Sequence, residues 1–414
     1  MGTEFLKVAS SEDAVKRVLK SLSDYEPPVE EVDLTLAHGR ILARSLFSKE
    51  DLPGFSRSSV DGFAVRAADT SGASETEPIY LNIKGEVPMG AFPDFTVDTG
   101  EAAVILTGGA VPQGSDAVVM IEHTEIYGRT VSVLKPVAPG ENVISADEDL
   151  KEGTLICAKG TRLAPRHIGA LAAVGITRIF VYARPKIGII STGDEIIPPE
   201  EKPLPGQVRD VNTVALRAAI LEQGCEAVSY GIVEDRFDLI FELSNRALGE
   251  CDGLIISGGS SAGVRDITID VISALGNPGV LVHGIRLKPG KPTLLGVCDG
   301  KVVAGFPGNP ASALVVFSEV FRPLLGYLKG ESAGIPRGVP RVKARLKKSV
   351  PSSSGRVELV PVEIVEEGSS YVAIPVSGRS NLIGTLARAN GFLRIFQDVE
   401  GMERGTEVDL ELAD

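Results

Sequence analysis

Four short stretches carry the residue types best suited to chemistry: STGDEI (191–196), SGGSSAGVRD (257–266), LKPGKP (287–292) and GFPGNP (305–310). From Ser257 to Gly263 every residue is small. Such a run lets backbone N–H groups approach an anion, and the positive end of a helix expected to begin near Asp266 would help. The plainer reading is a tight turn that needs glycine, since the run is neither a Walker loop nor a GxGxxG fingerprint. In KPGKP, Pro289-Gly290 fits the centre of a type II turn, which would bring Lys288 and Lys291 together. Two ammonium groups so placed repel unless water or an anion screens them, so a phosphate or another oxyanion suits the loop. Solvated lysines are the alternative. Asp194, Glu195 and Asp266 are candidate Mg²⁺ ligands, because Mg²⁺ takes one or two carboxylates plus substrate phosphates. Asp266 would equally serve as a helix N-cap. Carboxylates and lysines together point to phosphoryl or nucleotidyl chemistry. No Ser-His-Asp or Cys-His set stands out, which argues against acyl transfer.

These stretches matter only if the chain gathers them. Apolar runs at 186–191, 227–233, 253–257, 280–285 and 302–305 read as buried strands. Helical patterns at about 212–223, 237–248, 266–275 and 310–328 alternate with them. The alternation implies a central doubly wound, mostly parallel α/β domain, whose ligands bind beyond the carboxyl ends of the strands. Each stretch follows a strand, so all should meet along one rim. Candidate substrate contacts there are Ser191, Thr192, Gly193, Ser257, Gly258, Gly259, Ser260, Lys291 and Gly308. Asn309-Pro310 is a helix start, with Asn as cap and Pro in the first turn.

Elsewhere, apolar residues at 14, 15, 18, 19 and 22 mark an N-terminal helix. Residues 50–140 alternate short apolar runs with Gly/Pro turns and read as all-β. Residues 161–174 return to helix. After Gly330 the chain is β again, and RVKARLKK places Arg341, Lys343, Arg345 and Lys347 on one face, read as solvated. The expected organisation is multidomain α/β plus β. A small helical region comprises 1–49 and 141–184, an inserted all-β domain 50–140, the α/β domain 185–330, and a C-terminal β-barrel-like domain 331–414.

The formal charge of −13 argues against general nucleic-acid binding, while leaving room for a local positive pocket. Cys157, Cys225, Cys251 and Cys298 form no C-x-x-C pair and read as buried, reduced thiols. His38, His123, His167 and His283 show no ligand spacing. No signal peptide or membrane span is visible, so a cytoplasmic location without membrane attachment is expected.

Taken in order, the motifs resemble the MoeA family, molybdopterin molybdenumtransferases, a fold also seen as the E domain of gephyrin. The resemblance spans essentially the whole chain: SRSSVDGFAV (56–65), ILTGGAVPQGSDAVVMIE (105–122), GENVISADEDLKEG (140–153), STGDEI, ISGGSSAGVRDIT, KPGKP, FPGNPASA and SGRSNLIGTLARANGF (377–392). It implies an elongated four-domain subunit that forms a homodimer. Its site would lie between the α/β domain of one subunit and the β insertion of the other. It implies adenylylated molybdopterin and molybdate as substrates, hydrolysis of the pyrophosphate link, release of AMP and transfer of the metal to the dithiolene sulfurs. Family positions of functional weight fall on Asp61, Thr107, Asp149, Glu195, Asp235, Asp266, Lys288, Pro307 and Pro310. A molybdopterin adenylyltransferase is a candidate partner that delivers the intermediate.

The chain departs from the family pattern in three places. A run of arginines is replaced by Ile144-Ser145-Ala146, and a second lysine, four residues before Lys288, is Gly284. The usual Gly-Gly-Val-Ser-Val-Gly reads Gly258-Gly259-Ser260-Ser261-Ala262-Gly263. The first two remove positive charge near the expected site. Tungstate is nearly isosteric with molybdate, and nothing in the sequence separates them. Two other readings share features of the chain: an adenylyltransferase-like nucleotidyl enzyme, and a dimeric scaffold with vestigial chemistry. The β insertion and C-terminal domain speak against the first; Asp61, Asp266 and Lys288 speak against the second.

Overall fold

The structure is a computed structural model and describes residues 8–258, 262–331, 340–376 and 383–413; of helical residues 262–266 and 385 only the backbone is described. Contacts divide the chain into two units, one of residues 31–38 and 44–180, the other of the remaining residues. The chain enters the second through α1 (Ser11–Ser21), capped by Ser10, which accepts from the Asp13 N–H at 3.0 Å. The apolar stripe buries Ala14 and Val18, with Leu22 just beyond, in the core of the α/β layer.

The first unit holds a six-stranded sheet of β1 (Gly62–Val65), β2 (Ile79–Glu86), β3 (Glu101–Ile105), β4 (Ala117–Met120), β5 (Thr124–Tyr127) and β6 (Thr130–Val133). Their order is β4-β1-β3-β2-β6-β5, antiparallel except for β2 beside β3. Alternation along β1 sends Phe63 and Val65 to one apolar cluster and Ala64 to another, so the sheet is covered on both faces. Helix α2 (Pro165–Ala173) belongs to the same unit.

In the second unit the α/β layer runs through β7 (Lys186–Thr192), α3 (Asn212–Glu222), β8 (Glu226–Val233), α4 (Phe237–Glu250), β9 (Gly253–Gly258), α5 (Ala262–Ala274) and β10 (Pro278–His283). A two-residue strand β11 (Leu287–Lys288) leads to β12 (Leu294–Cys298) and β13 (Lys301–Phe306). The sheet order is β8-β7-β9-β13-β12-β10, with the first four strands parallel. Successive residues point to opposite faces: Ile189, Ile255 and Ala304 pack with α1 and α3, while Ile190, Ile256 and Val303 pack with α4 and α5.

The regular alternation expected from the sequence stops at β10. Strand β12 was not expected; it runs antiparallel to both β10 and β13. It joins β13 through a two-residue turn with φ +46 at Asp299 and +81 at Gly300. Its five-residue run directly follows the KPGKP loop, too short for periodicity to mark it as a separate element.

The expected helix 310–328 is α6 (Pro310–Val316) and α7 (Arg322–Leu328), joined by a π-helical turn at Phe317–Phe321. It is long and apolar enough to cross a membrane, but 61% of the span is buried within the protein, as suits a core helix. Beyond it, β14 (Arg341–Leu346), β15 (Val357–Glu367), β16 (Ser370–Pro375), β17 (Gly391–Ile395) and β18 (Glu407–Leu412) follow the order β15-β16-β14-β18-β17. Pairing of β17 back onto β15 closes a five-stranded barrel, as the β-barrel-like reading anticipated. Strand β11 pairs with the start of β15, Leu287 opposite Val357 and Lys288 opposite Glu358. Arg341, Lys343 and Arg345 lie on the outer face of β14, with Ala344 and Leu346 inside. The four cysteines are buried and none is in a disulfide.

Candidate functional site

Strands β7 and β9 end side by side, Ser191 opposite Ser257 and Thr192 opposite Gly258. A Cβ at Gly258 (φ +155) would overlap the Thr192 carbonyl oxygen, which accounts for one small residue of the run. Asn212, at the start of α3, donates its Nδ2 to Ser257 Oγ at 2.8 Å and to the Gly308 carbonyl at 2.9 Å. This single amide ties the end of β9 to the loop after β13. Ser191 Oγ donates at 3.0 Å to Asp210 Oδ1, which also accepts the Thr213 N–H at 3.0 Å.

Asp194 Oδ1 accepts the Asp235 N–H at 3.2 Å. Burial pushes the Asp235 carboxyl above its ordinary range; the Thr192 hydroxyl opposes this, and the charges of Asp194 and Glu195 add to it. Three carboxylates therefore crowd one corner beside Gly193. Among the described residues, no group of three His, Cys, Asp or Glu side chains is arranged to hold a metal ion on its own.

Ser191, Thr192, Gly193, Asp194, Glu195, Asp235, Ser257, Gly258 and Gly308 are thus neighbours along the rim. Gly259 and Ser260 lie outside the described residues, as does the side chain of Asp266. Helix α5 starts at Ala262, so Asp266 sits a turn inside it and is not its N-cap. The small residues before it carry no helical periodicity, so the first acidic residue looked like the helix start.

The lysine loop takes a different place. A cleft of about 780 Å³ opens between the α/β layer and the barrel, with Lys288, Lys291, Pro307, Asn309 and Ser312 on one side and Arg356, Glu358, Leu359 and Phe392 on the other. Lys288 Nζ lies 2.8 Å from a carboxylate oxygen of Glu358. The two lysines are not simply a repelling pair, because the barrel supplies a counter-charge to one of them. Nor is the turn type II: Gly290 has φ +126 rather than the +80 or so of that turn, and the Lys288–Pro289 peptide is cis. Thr293 Oγ1 donates to the Gly290 carbonyl at 2.7 Å. The reason for glycine is the approach to α6, where a Cβ would meet Val316 Cγ2 at 2.6 Å. Lys288, Lys291 and Arg356 outnumber Glu358, so the cleft carries net positive charge within an acidic protein. The loop before Pro310, the first residue of α6, serves both places: Gly308 faces Asn212 while Pro307 and Asn309 line the cleft.

Sequence reading missed Asp210, Asn212, Arg356 and Glu358. Asn212 and Asp210 sit in VRDVN, the polar break where the helix at about 212–223 was expected to begin, but neither was read as a site residue. Glu358 and Arg356 had no such signal, because their role depends on β15 meeting β11. Gly284, which replaces a family lysine, has φ +88 and gives its carbonyl to the Ala9 N–H at 3.3 Å.

In the other unit, Asp61 Oδ1 accepts both the N–H (2.7 Å) and the hydroxyl (2.8 Å) of Thr107. These bonds, the backbone one first, hold its carboxyl below the usual range and keep it ionised. Asp149 is exposed, its N–H bonded to the Leu52 carbonyl at 3.0 Å. Ile144 pairs with Arg57, and the Ala146 N–H donates to Ser56 Oγ at 3.3 Å. The segment that departs from the family pattern therefore lies beside the SRSS stretch.

Comparison with known proteins agrees with this architecture. Three sequence families match: "MoeA N-terminal region (domain I and II)" over residues 9–175, "Probable molybdopterin binding domain" over 188–327, and "MoeA C-terminal region (domain IV)" over 343–413. A molybdopterin biosynthesis protein of Methanocaldococcus jannaschii is 36% identical over 96% of each chain. The molybdopterin molybdenumtransferase of Bacillus subtilis is 30% identical over 97% of this chain and 93% of its own. A crystal structure of a molybdopterin biosynthesis MoeA protein from Pyrococcus horikoshii superposes with a TM-score of 0.83 at 33% identity, covering 98% of this chain and all of that one. Together with the fold, these matches define a multidomain enzyme of molybdenum cofactor biosynthesis. The chain belongs to the MoeA family, the molybdopterin molybdenumtransferases.

Proposed function

We propose that the protein inserts molybdate, or the near-isosteric tungstate, into adenylylated molybdopterin, with Mg²⁺-dependent hydrolysis of the pyrophosphate link and release of AMP. The observation that carries this reading is the pairing of a positively charged cleft with a glycine-lined rim through one shared loop. The cleft suits a small tetrahedral oxyanion: Lys288 is held at the wall by Glu358, with Lys291 and Arg356 nearby. The rim suits the phosphates and the groups attached to them. Ser191, Thr192, Gly193, Ser257, Gly258 and Gly308 form its floor, braced by Asp210 and Asn212, and Asp235 lines the same corner.

Asp194 and Glu195, and Asp266 from the helix that follows, are the carboxylates that would hold Mg²⁺ together with water and substrate oxygens. When bound, the ion supplies charge neutralisation on the pyrophosphate. The dithiolene sulfurs of the substrate receive the metal, which fits a chain whose cysteines are all buried. Asp61, fixed by Thr107, and Asp149 complete the site from the β insertion of a second subunit in a homodimer. A molybdopterin adenylyltransferase would deliver the intermediate, and the work would take place in the cytoplasm.

The test is an assay of purified protein with adenylylated molybdopterin, Mg²⁺ and either oxyanion, following AMP and pterin-bound metal. Oxyanion-dependent AMP release with metal retained supports the proposal, and the better oxyanion names the metal. No AMP release, under conditions where a known family member works, removes it in favour of a scaffold. Lys288→Ala and Asp266→Ala should each cut turnover by on the order of 10²-fold or more while the fold survives. Mixing Asp61→Ala with Asp266→Ala subunits should restore one working site per heterodimer; verified heterodimers without activity would refute the shared site.

A further inference from the structure

The wall of the cleft formed by the barrel is an outer face of β15 and β17. Period two places Phe392 and Arg394 on the same side of β17, with Leu393 and Ile395 turned into the barrel core. Phe392 lines the cleft, and so does Leu359, which pairs directly with Arg394 across the sheet. Leu359 belongs to the core cluster of the α/β layer and Phe392 packs against it, so this face docks on the layer largely through apolar contacts. Apolar contacts are non-directional and fix an angle poorly.

Besides the β11–β15 pairing and the Lys288–Glu358 ion pair, a second polar link crosses this face. Arg394 donates Nη1 and Nη2 to the two carboxylate oxygens of Glu319 at 2.9 and 2.8 Å. It also donates Nε and Nη2 to those of Glu411 at 2.8 and 2.9 Å. Glu411 takes a further bond from Arg341 at 3.0 Å. The side chains of Arg394, Glu319 and Glu411 are only 21%, 15% and 9% exposed. Burying such a network costs desolvation and adds little net stability over apolar packing, so its value lies in geometry. A guanidinium with both edges engaged has one orientation, which a lysine cannot reproduce. Glu319 stands in the π-helical turn between α6 and α7, and Ser312 and Val315 of α6 line the opposite wall of the cleft. An extra residue in a turn re-aims a side chain, and here it is the residue that meets the barrel.

We propose that Arg394, held between Glu319 and Glu411, is a positioning residue for the oxyanion cleft. It fixes the barrel wall that carries Arg356 and Glu358 against the helix wall that carries Ser312, and so sets the cleft's width without touching the ligand. This rests on the oxyanion reading of the cleft given above.

The experiment titrates molybdate into wild-type protein and into Arg394→Lys and Glu319→Gln, by calorimetry, alongside thermal melts and the AMP-release assay. Both variants should bind molybdate about tenfold more weakly, equivalent to roughly 1.4 kcal/mol. The KM for molybdate should rise in step, with kcat within about twofold, while the melting temperature falls because one partner of a largely buried network is altered. Variants that melt lower yet bind molybdate as tightly as wild type would show Arg394 to be structural only and overturn the proposal. Wild-type protein that binds no molybdate would overturn the cleft reading itself, and the positioning role with it. If Arg394→Lys fails to fold, Glu319→Gln, which keeps the shape of the side chain, decides alone.

Discussion

At the scale of single residues the site is a set of charges held against their preference. Asp235 is the clearest, a carboxyl pushed upward chiefly by burial and further by Asp194 and Glu195. A carboxyl whose folded pKa is raised destabilises the fold when it ionises, fully above the folded pKa and not at all below the ordinary value of 3.8. Asp235→Asn should therefore raise the melting temperature at neutral pH while lowering turnover. The gain should vanish as pH falls towards 3.8, and a gain independent of pH would contradict the assignment. Asp61 is the opposite case, since Thr107 favours its ionised form. Residue types at the strand ends were legible in the sequence, because each polar cluster interrupts an apolar run. Glu358 was not legible: nothing near it in sequence announces that Lys288 will need it.

At the scale of elements, the loops are shaped by what they pack against. Gly290 is pressed on α6, so Gly290→Ala should cost about 1–3 kcal/mol through overpacking and backbone strain. It should also weaken oxyanion binding. Adding Val316→Ala should recover part of the loss, since that side chain is the one the new methyl meets, and an additive double variant would rule the contact out. Most strands and helices could be read from the sequence, since buried runs and helical stripes differ in period. The two failures share a cause. Strand β12 and the first turn of α5 adjoin runs of Gly, Pro and Ser, where periodicity carries no information and only tertiary pairing decides.

At the scale of the whole molecule, the reading requires two subunits per active site. Sedimentation at micromolar concentration should return twice the chain mass; a monomer with full activity would refute the shared site. The barrel should also respond to acid. Burial pushes the Glu411 carboxyl upward, but bonds to Arg394 and Arg341 outweigh it and leave the pKa lowered. Its stabilising contribution is present above the ordinary value of 4.5 and lost as pH falls through the lowered one. Acid should therefore weaken the network that joins barrel to helix before it affects the apolar cores. Strand β11 adds a constraint of another kind. It lies in the middle of the polypeptide yet completes its pairing on β15, some seventy residues further on. On the ribosome, Lys288 emerges long before the strand and the glutamate that fix it, so a chain cut short after the α/β layer lacks the cleft wall that carries Arg356 and Glu358. The two-walled cleft therefore exists only once the barrel has been made, well after both lysines.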